Sequence, residues 1–117
     1  MIREKNKMPI KIIKKEDSTE RKISESYSVL NFLTGDESEK ISLAVSTAKN
    51  HSETTKTTSD RAYYVLEGEL SANNQTAKKG DVIFIPANTE YGFRGTFKAV
   101  LINSPPFKKE NEEIKES

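Results

Sequence analysis

Arg61-Ala-Tyr-Tyr-Val-Leu-Glu-Gly-Glu-Leu70 and Gly80-Asp-Val-Ile-Phe-Ile-Pro-Ala-Asn-Thr-Glu-Tyr91 decide the fold. Each is a run of β-branched and aromatic residues ending in a turn, at Glu67-Gly68 in the first block and at Pro86-Ala-Asn88 in the second. Upstream, Ser26 to Leu33 reads as a strand, Thr34 to Lys40 as a turn, and Ile41 to Ser46 as a strand with Ile41, Leu43 and Val45 on one face. Lys49 to Asp60 is polar, so it is expected to be a loop or an edge strand. Downstream, Tyr91 to Arg94 and Phe97 to Ile102 complete the set before Ser104-Pro-Pro-Phe107. Short strands at regular spacing, with Gly, Asn and Pro turns and no convincing helix, predict an all-β sandwich or barrel.

The 117 residues suffice for one domain with one core. Charged residues are as frequent as hydrophobic ones, 32% against 33%, and they gather at the ends. The expected organisation is therefore a charged segment over 1–23, a barrel over 24–107, and a charged, disordered tail over 108–117. Pro9 to Lys14 alternates well enough for a short strand, expected to pair across a dimer.

A formal net charge of +1, with Lys and Arg interleaved among Asp and Glu, leaves no electrostatic footprint for nucleic acid. No apolar run reaches the length of a membrane-spanning helix or a signal-peptide core. With no cysteine there is no disulfide or thiolate chemistry, and a cytoplasmic location is expected.

The two quoted blocks resemble the paired motifs of the cupin superfamily, whose fold is a jelly-roll β-barrel (a double-stranded β-helix). Val65-Leu-Glu-Gly68 and Gly80-Asp-Val-Ile-Phe-Ile-Pro86 are similar to the metal-lacking cupins of ethanolamine utilisation. That resemblance implies a barrel, a homodimer and no metal. In metal-binding cupins the first motif carries two histidines and a glutamate, and the second ends in a histidine. The matching positions here are Thr55 and Thr57 (or Thr54 and Lys56), Arg61 and Tyr91. Thr and Tyr are poor ligands for first-row metals, and a permanently protonated guanidinium is no ligand at all. No metal and no cofactor is expected. A non-standard site from His51, Glu53 and Glu90 is conceivable, but an exposed loop histidine is the plainer reading of His51.

If Arg61 faces inward as the ligand does in relatives, strand alternation brings Tyr63 and Val65 inward with it. Tyr91 and Phe93 then line the cavity from the other strand, with Thr55 and Thr57 at the rim. Such a pocket suits a small anionic or sugar-like ligand, because Arg offers a bidentate fork and the rings offer stacking area. Tyr91 would serve as acid or base only if a cation such as Arg61 lowered its pKa. Three functions remain open on sequence grounds. One is a metal-independent cupin that binds a small organic ligand. The second is a metal-free isomerase, epimerase or lyase using Tyr91 and Arg61. The third is a dimeric interaction module with a filled barrel.

Overall fold

The computed structural model describes residues 10–108, 110 and 112–116. After a 3-10 turn at Lys15–Asp17 the described chain is built mainly from strands: β1 (Thr19–Ser24), β2 (Tyr27–Leu33), β3 (Ser42–Thr57), β4 (Asp60–Ala72), β5 (Gln75–Lys78), β6 (Val82–Ile85), β7 (Tyr91–Ser104) and β8 (Glu112–Glu116). All belong to one antiparallel sheet in the order β1-β2-β3-β7-β4-β5, with β6 on β4 and β8 on β3. This is the expected all-β jelly-roll of cupin type.

Three long strands, β3, β7 and β4, form its spine. Each breaks register near its middle: β3 between Ala48 and His51 against β7, and β4 between Val65 and Glu67 against the same strand. Asn50 in β3, with φ of 48°, and Gly95 in β7, with φ of 138°, supply the unusual backbone at the first break, and Gly68, with φ of 77°, lies beside the second. An extra residue in one strand bends and twists the pair, which is how a flat ladder becomes a barrel wall. Asn88 lies in the turn that follows β6 and Pro86. It adopts φ of 64°, a left-handed conformation that Asn tolerates better than most residues.

The core is a belt of side chains from alternate positions: Tyr27 and Val29 of β2, Ala44 and Ala48 of β3, Tyr63, Val65 and Leu70 of β4, Ile85 of β6, and Phe93, Phe97, Ala99 and Leu101 of β7. On β3 the inward face is thus Ser42, Ala44, Ser46 and Ala48, while Leu43 and Val45 point outward and are only half-buried.

Two sequence expectations are corrected here. Of the two readings of Lys49 to Asp60, a loop or an edge strand, the loop is overturned: the segment is largely the second half of β3, and its inward positions, His51, Glu53, Thr55 and Thr57, are all buried. Polarity misled because the barrel interior is itself polar at that end. Within the single chain residues 10–14 form no strand (Pro9 lies outside the described residues) and leave Ile10 and Ile12 exposed; the expected pairing across a dimer concerns a second copy. In the charged tail, Glu112–Glu116 forms β8 and adds to the edge of β3 opposite Glu53–Thr57. A free strand edge supplies backbone donors and acceptors that even a charged segment can use.

Candidate active site in the barrel cavity

The cavity is walled by Tyr27, Asn31, Glu53, Arg61, Phe93 and Asn103, with Arg21, Phe107 and Glu112 also bordering it. Its free space is about 420 Å³ counted out to the mouth, but only about 30 Å³ is wide enough for the centre of a water molecule.

Arg61 is the organising charge. It sits on β4 between β7 and β6, where alternation with Tyr63 and Val65 turns it inward, and it is 3% exposed. Its Nε donates to Asn103 Oδ1 at 2.7 Å, and its Nη1 donates to Tyr91 Oη at 2.9 Å and to Glu112 Oε2 at 3.3 Å. Thr55 Oγ1 donates to the same Glu112 oxygen at 3.1 Å. Burial disfavours the guanidinium charge, but the surrounding phenols and the Glu112 carboxylate outweigh it and hold the group protonated.

Tyr91 and Tyr63 share a hydrogen bond of 2.5 Å between their hydroxyls. Burial raises both phenols above the ordinary tyrosine range, and in each case it outweighs the lowering by Arg61. The sequence-based condition for Tyr91 as a base, a lowered pKa, is therefore not met. At neutral pH it is a protonated phenol, fitted to donate.

A second group faces the cavity from β3. His51 Nε2 lies 2.6 Å from Glu53 Oε1, and His51 Nδ1 lies 2.6 Å from Ser26 Oγ. In the tautomer whose Nε2–H donates to the carboxylate, Nδ1 accepts from the serine hydroxyl. The imidazole is stacked on Tyr27, 4.8 Å between centroids and 9° between planes, and so held in orientation. Burial pushes the Glu53 carboxyl above its usual range, and the His51 hydrogen bond only partly opposes this. Glu53 is thus a buried carboxyl with a proton partner behind it and the cavity in front, a setting suited to acid–base chemistry.

Of the residues named from sequence, Arg61 and Phe93 border the cavity, and Thr55 and Tyr91 reach it through their bonds to Glu112 and Arg61. Tyr63 stands behind Tyr91. Val65 lies wholly in the core, and Thr57 is buried with no partner for its hydroxyl among the described residues. Glu90 is exposed, and among the described residues no three His, Cys, Asp or Glu side chains gather as a metal set. The donors at the cupin ligand positions do not fit a divalent cation, because the Arg61 guanidinium occupies their midst. Sequence reasoning missed Asn103 and Glu112 and gave His51 and Glu53 no role in acid–base chemistry. Asn103 had a visible signal, a polar residue in phase with Phe97, Ala99 and Leu101 on an inward face.

The jelly-roll topology and the two motif strands that meet at the cavity are those of the cupin class. Within it, residues 2–104 match the family model of the ethanolamine utilisation protein EutQ, and the chain belongs to that family. No curated protein sequence matches it. The fold is similar to that of Streptomyces Pac13, described as a nucleoside dehydratase, at 19% identity over 92% of each chain with a TM-score of 0.74. A tyrosine-to-phenylalanine variant of Pac13 with uridine is similar at 21% identity over 93% of each chain, TM-score 0.75. The Clostridium difficile EutQ protein is similar at 20% identity over 68% of this chain and 63% of that one, TM-score 0.65.

Proposed function

We propose that the barrel is a metal-independent site for a small anionic or sugar-like molecule, and that Glu53 performs acid–base chemistry on it. Arg61 and Asn103 hold the ligand, Tyr91 donates to a developing oxyanion, and Glu53 takes or returns a proton with His51 as its partner. The reaction class is a lyase or isomerase: abstraction of a proton beside a carbonyl, followed by loss of a β-substituent or by reprotonation. The observation that carries this reading is the buried His51–Glu53 pair, with Glu53 bordering the same cavity as Arg61. The nucleoside dehydratase Pac13, bound to uridine in related structures, supports a barrel of this shape doing such work.

The test is solvent exchange. Wild type and Glu53→Gln are incubated in deuterium oxide with a panel of nucleoside aldehydes, keto sugars and hydroxy acids, and carbon-bound protons are followed by NMR. Wild type exchanges or eliminates at one site on at least one compound, and the variant does not. Binding without exchange on any compound would replace this reading by that of a ligand-binding module, and the narrowness of the cavity would then favour a filled barrel.

The second proposal is a homodimer. Outward-facing residues register in two rows: Leu30, Val45, Val100, Tyr64 and Val82 across five strands, and Leu43, Ile102, Ala62 and Phe84 across four. No charge interrupts them, and Tyr64, Val82 and Phe84 are 44%, 61% and 61% exposed. Contiguous apolar surface on this scale marks an interface. A second copy fits because the chain also carries Ile10 and Ile12, exposed on a segment that forms no strand of its own.

A further inference from the structure

The carboxylate on Arg61 is the chain's own, and it arrives from the far end of the sequence. Glu112 opens β8, pairs across from Thr57, and sends its side chain to Arg61 and Thr55 at the cavity wall, where it is 7% exposed. Three features set this contact apart from the rest of the site. It is monodentate and long, 3.3 Å through one oxygen, whereas a well-matched guanidinium–carboxylate pair is bidentate at about 2.7–2.9 Å. The element carrying it is weakly held: β8 is a five-residue edge strand on β3 alone, and three of its residues are glutamates. Third, its carboxylate takes up room at the wall of a cavity whose remaining width barely admits water.

We infer that Arg61, Thr55 and Asn103 form a carboxylate subsite, and that Glu112 occupies it as a surrogate until a ligand carboxylate displaces it together with β8. This deepens the proposed small-molecule site and rests on it: the ligand is a small organic acid, and the C-terminal strand competes with it. A free acid can turn both oxygens to the guanidinium fork, which Glu112, tethered to β8, does not do. Its binding also frees the place at the cavity wall that Glu112 fills. The apparent affinity of wild type is therefore lowered by the fraction of molecules in which Glu112 is docked.

The experiment compares full-length wild type with full-length Glu112→Gln. Two matched probe pairs are titrated by NMR: lactate against lactamide, and gluconate against sorbitol. The acids are expected to bind Glu112→Gln on the order of tenfold more tightly than wild type, the affinity gain from removing a docked competitor. The uncharged partners should bind neither protein well. In wild type, the bound acid should speed amide exchange across 112–116, and adding Thr55→Val to Glu112→Gln should weaken the acids again. Equal affinity of the acids for both proteins overturns the inference, as does acid binding with the β8 amides still protected. Sorbitol or lactamide binding as well as its acid overturns the carboxylate subsite but leaves the barrel site standing. If neither the probes nor uridine binds either protein, the small-molecule reading falls with it.

Discussion

His51 Nε2 and Glu53 Oε1 lie 2.6 Å apart, two residues along one strand, with both side chains shut away from solvent. Inward positions of a strand recur every second residue, so adjacent inward side chains on β3 are near enough to bond. The pair gives the barrel a buried carboxylate whose protonation is set by burial first and by the imidazole second.

That ordering predicts the pH dependence of stability. The folded pKa of Glu53 is raised above its unfolded value, so the native state binds the extra proton. The resulting stabilisation is complete below the ordinary glutamate range and is lost as pH rises through the folded value. Glu53→Gln keeps a neutral side chain at every pH. Its melting temperature should gain on wild type as pH rises from about 4 to 7, given an ordinary glutamate pKa near 4.3. A variant that instead loses ground over that range would mean that His51 outweighs burial.

Two glycines with left-handed backbone should respond differently to alanine. At Gly68, with φ of 77°, a Cβ would lie 2.1 Å from the Thr96 carbonyl oxygen, backbone that cannot step aside. Gly68→Ala should cost about 2–4 kcal/mol, strain and overpacking together. At Gly80, with φ of 93°, nothing lies within 4 Å of the added atom, so only the backbone preference is lost. Gly80→Ala should cost about 1–2 kcal/mol. Urea unfolding measures both, and equal midpoints for the two variants would contradict the packing at the β4–β7 crossing.

Removing the charge at the centre of the cavity should be expensive. Arg61→Met leaves Asn103 and Tyr91 without their donor and Glu112 without its cation. The expected loss is about 3 kcal/mol, as for breaking one side of a buried ion pair. Adding Glu112→Gln to Arg61→Met should recover part of it, since the stranded carboxylate is then gone. Chemical denaturation of the single and double variants decides, and no recovery would place Glu112 outside the pair's energetics.

The outer apolar rows make a prediction about assembly. Tyr64→Glu combined with Phe84→Glu should turn a dimer into a folded monomer, since both side chains point away from the core. Light scattering gives the mass and circular dichroism the fold. A wild-type monomer at micromolar concentration would remove the proposed dimer.

The barrel was readable because its two motif blocks keep scaffold chemistry in order: alternating strands, a left-handed turn after each, and proline at the strand end. Once the cupin resemblance turned Arg61 inward, parity carried Tyr63 with it, and Tyr91 and Phe93 on the facing strand. The β3 extension was hidden because His51 to Thr57 alternates polar with polar, and a period of two is visible only when the two faces differ. Glu112 was hidden for another reason. Its place depends on a strand edge that β3 exposes some sixty residues earlier in the chain, and nothing local in Glu112–Glu116 announces it.

Ligand binding by Arg61 is the claim on which the rest depends, and thermal unfolding in the presence of small polar compounds tests it most directly. Uridine, lactate, gluconate and sorbitol would each be added at millimolar concentration to wild type, Arg61→Lys and Asn103→Ala. At least one should raise the wild-type melting temperature by a few degrees, the shift expected when ligand exceeds its dissociation constant about tenfold. Both variants should lose the shift, because Lys lacks the fork and Ala leaves Nε unpartnered. No shift in wild type, or a shift that survives both substitutions, would contradict the account.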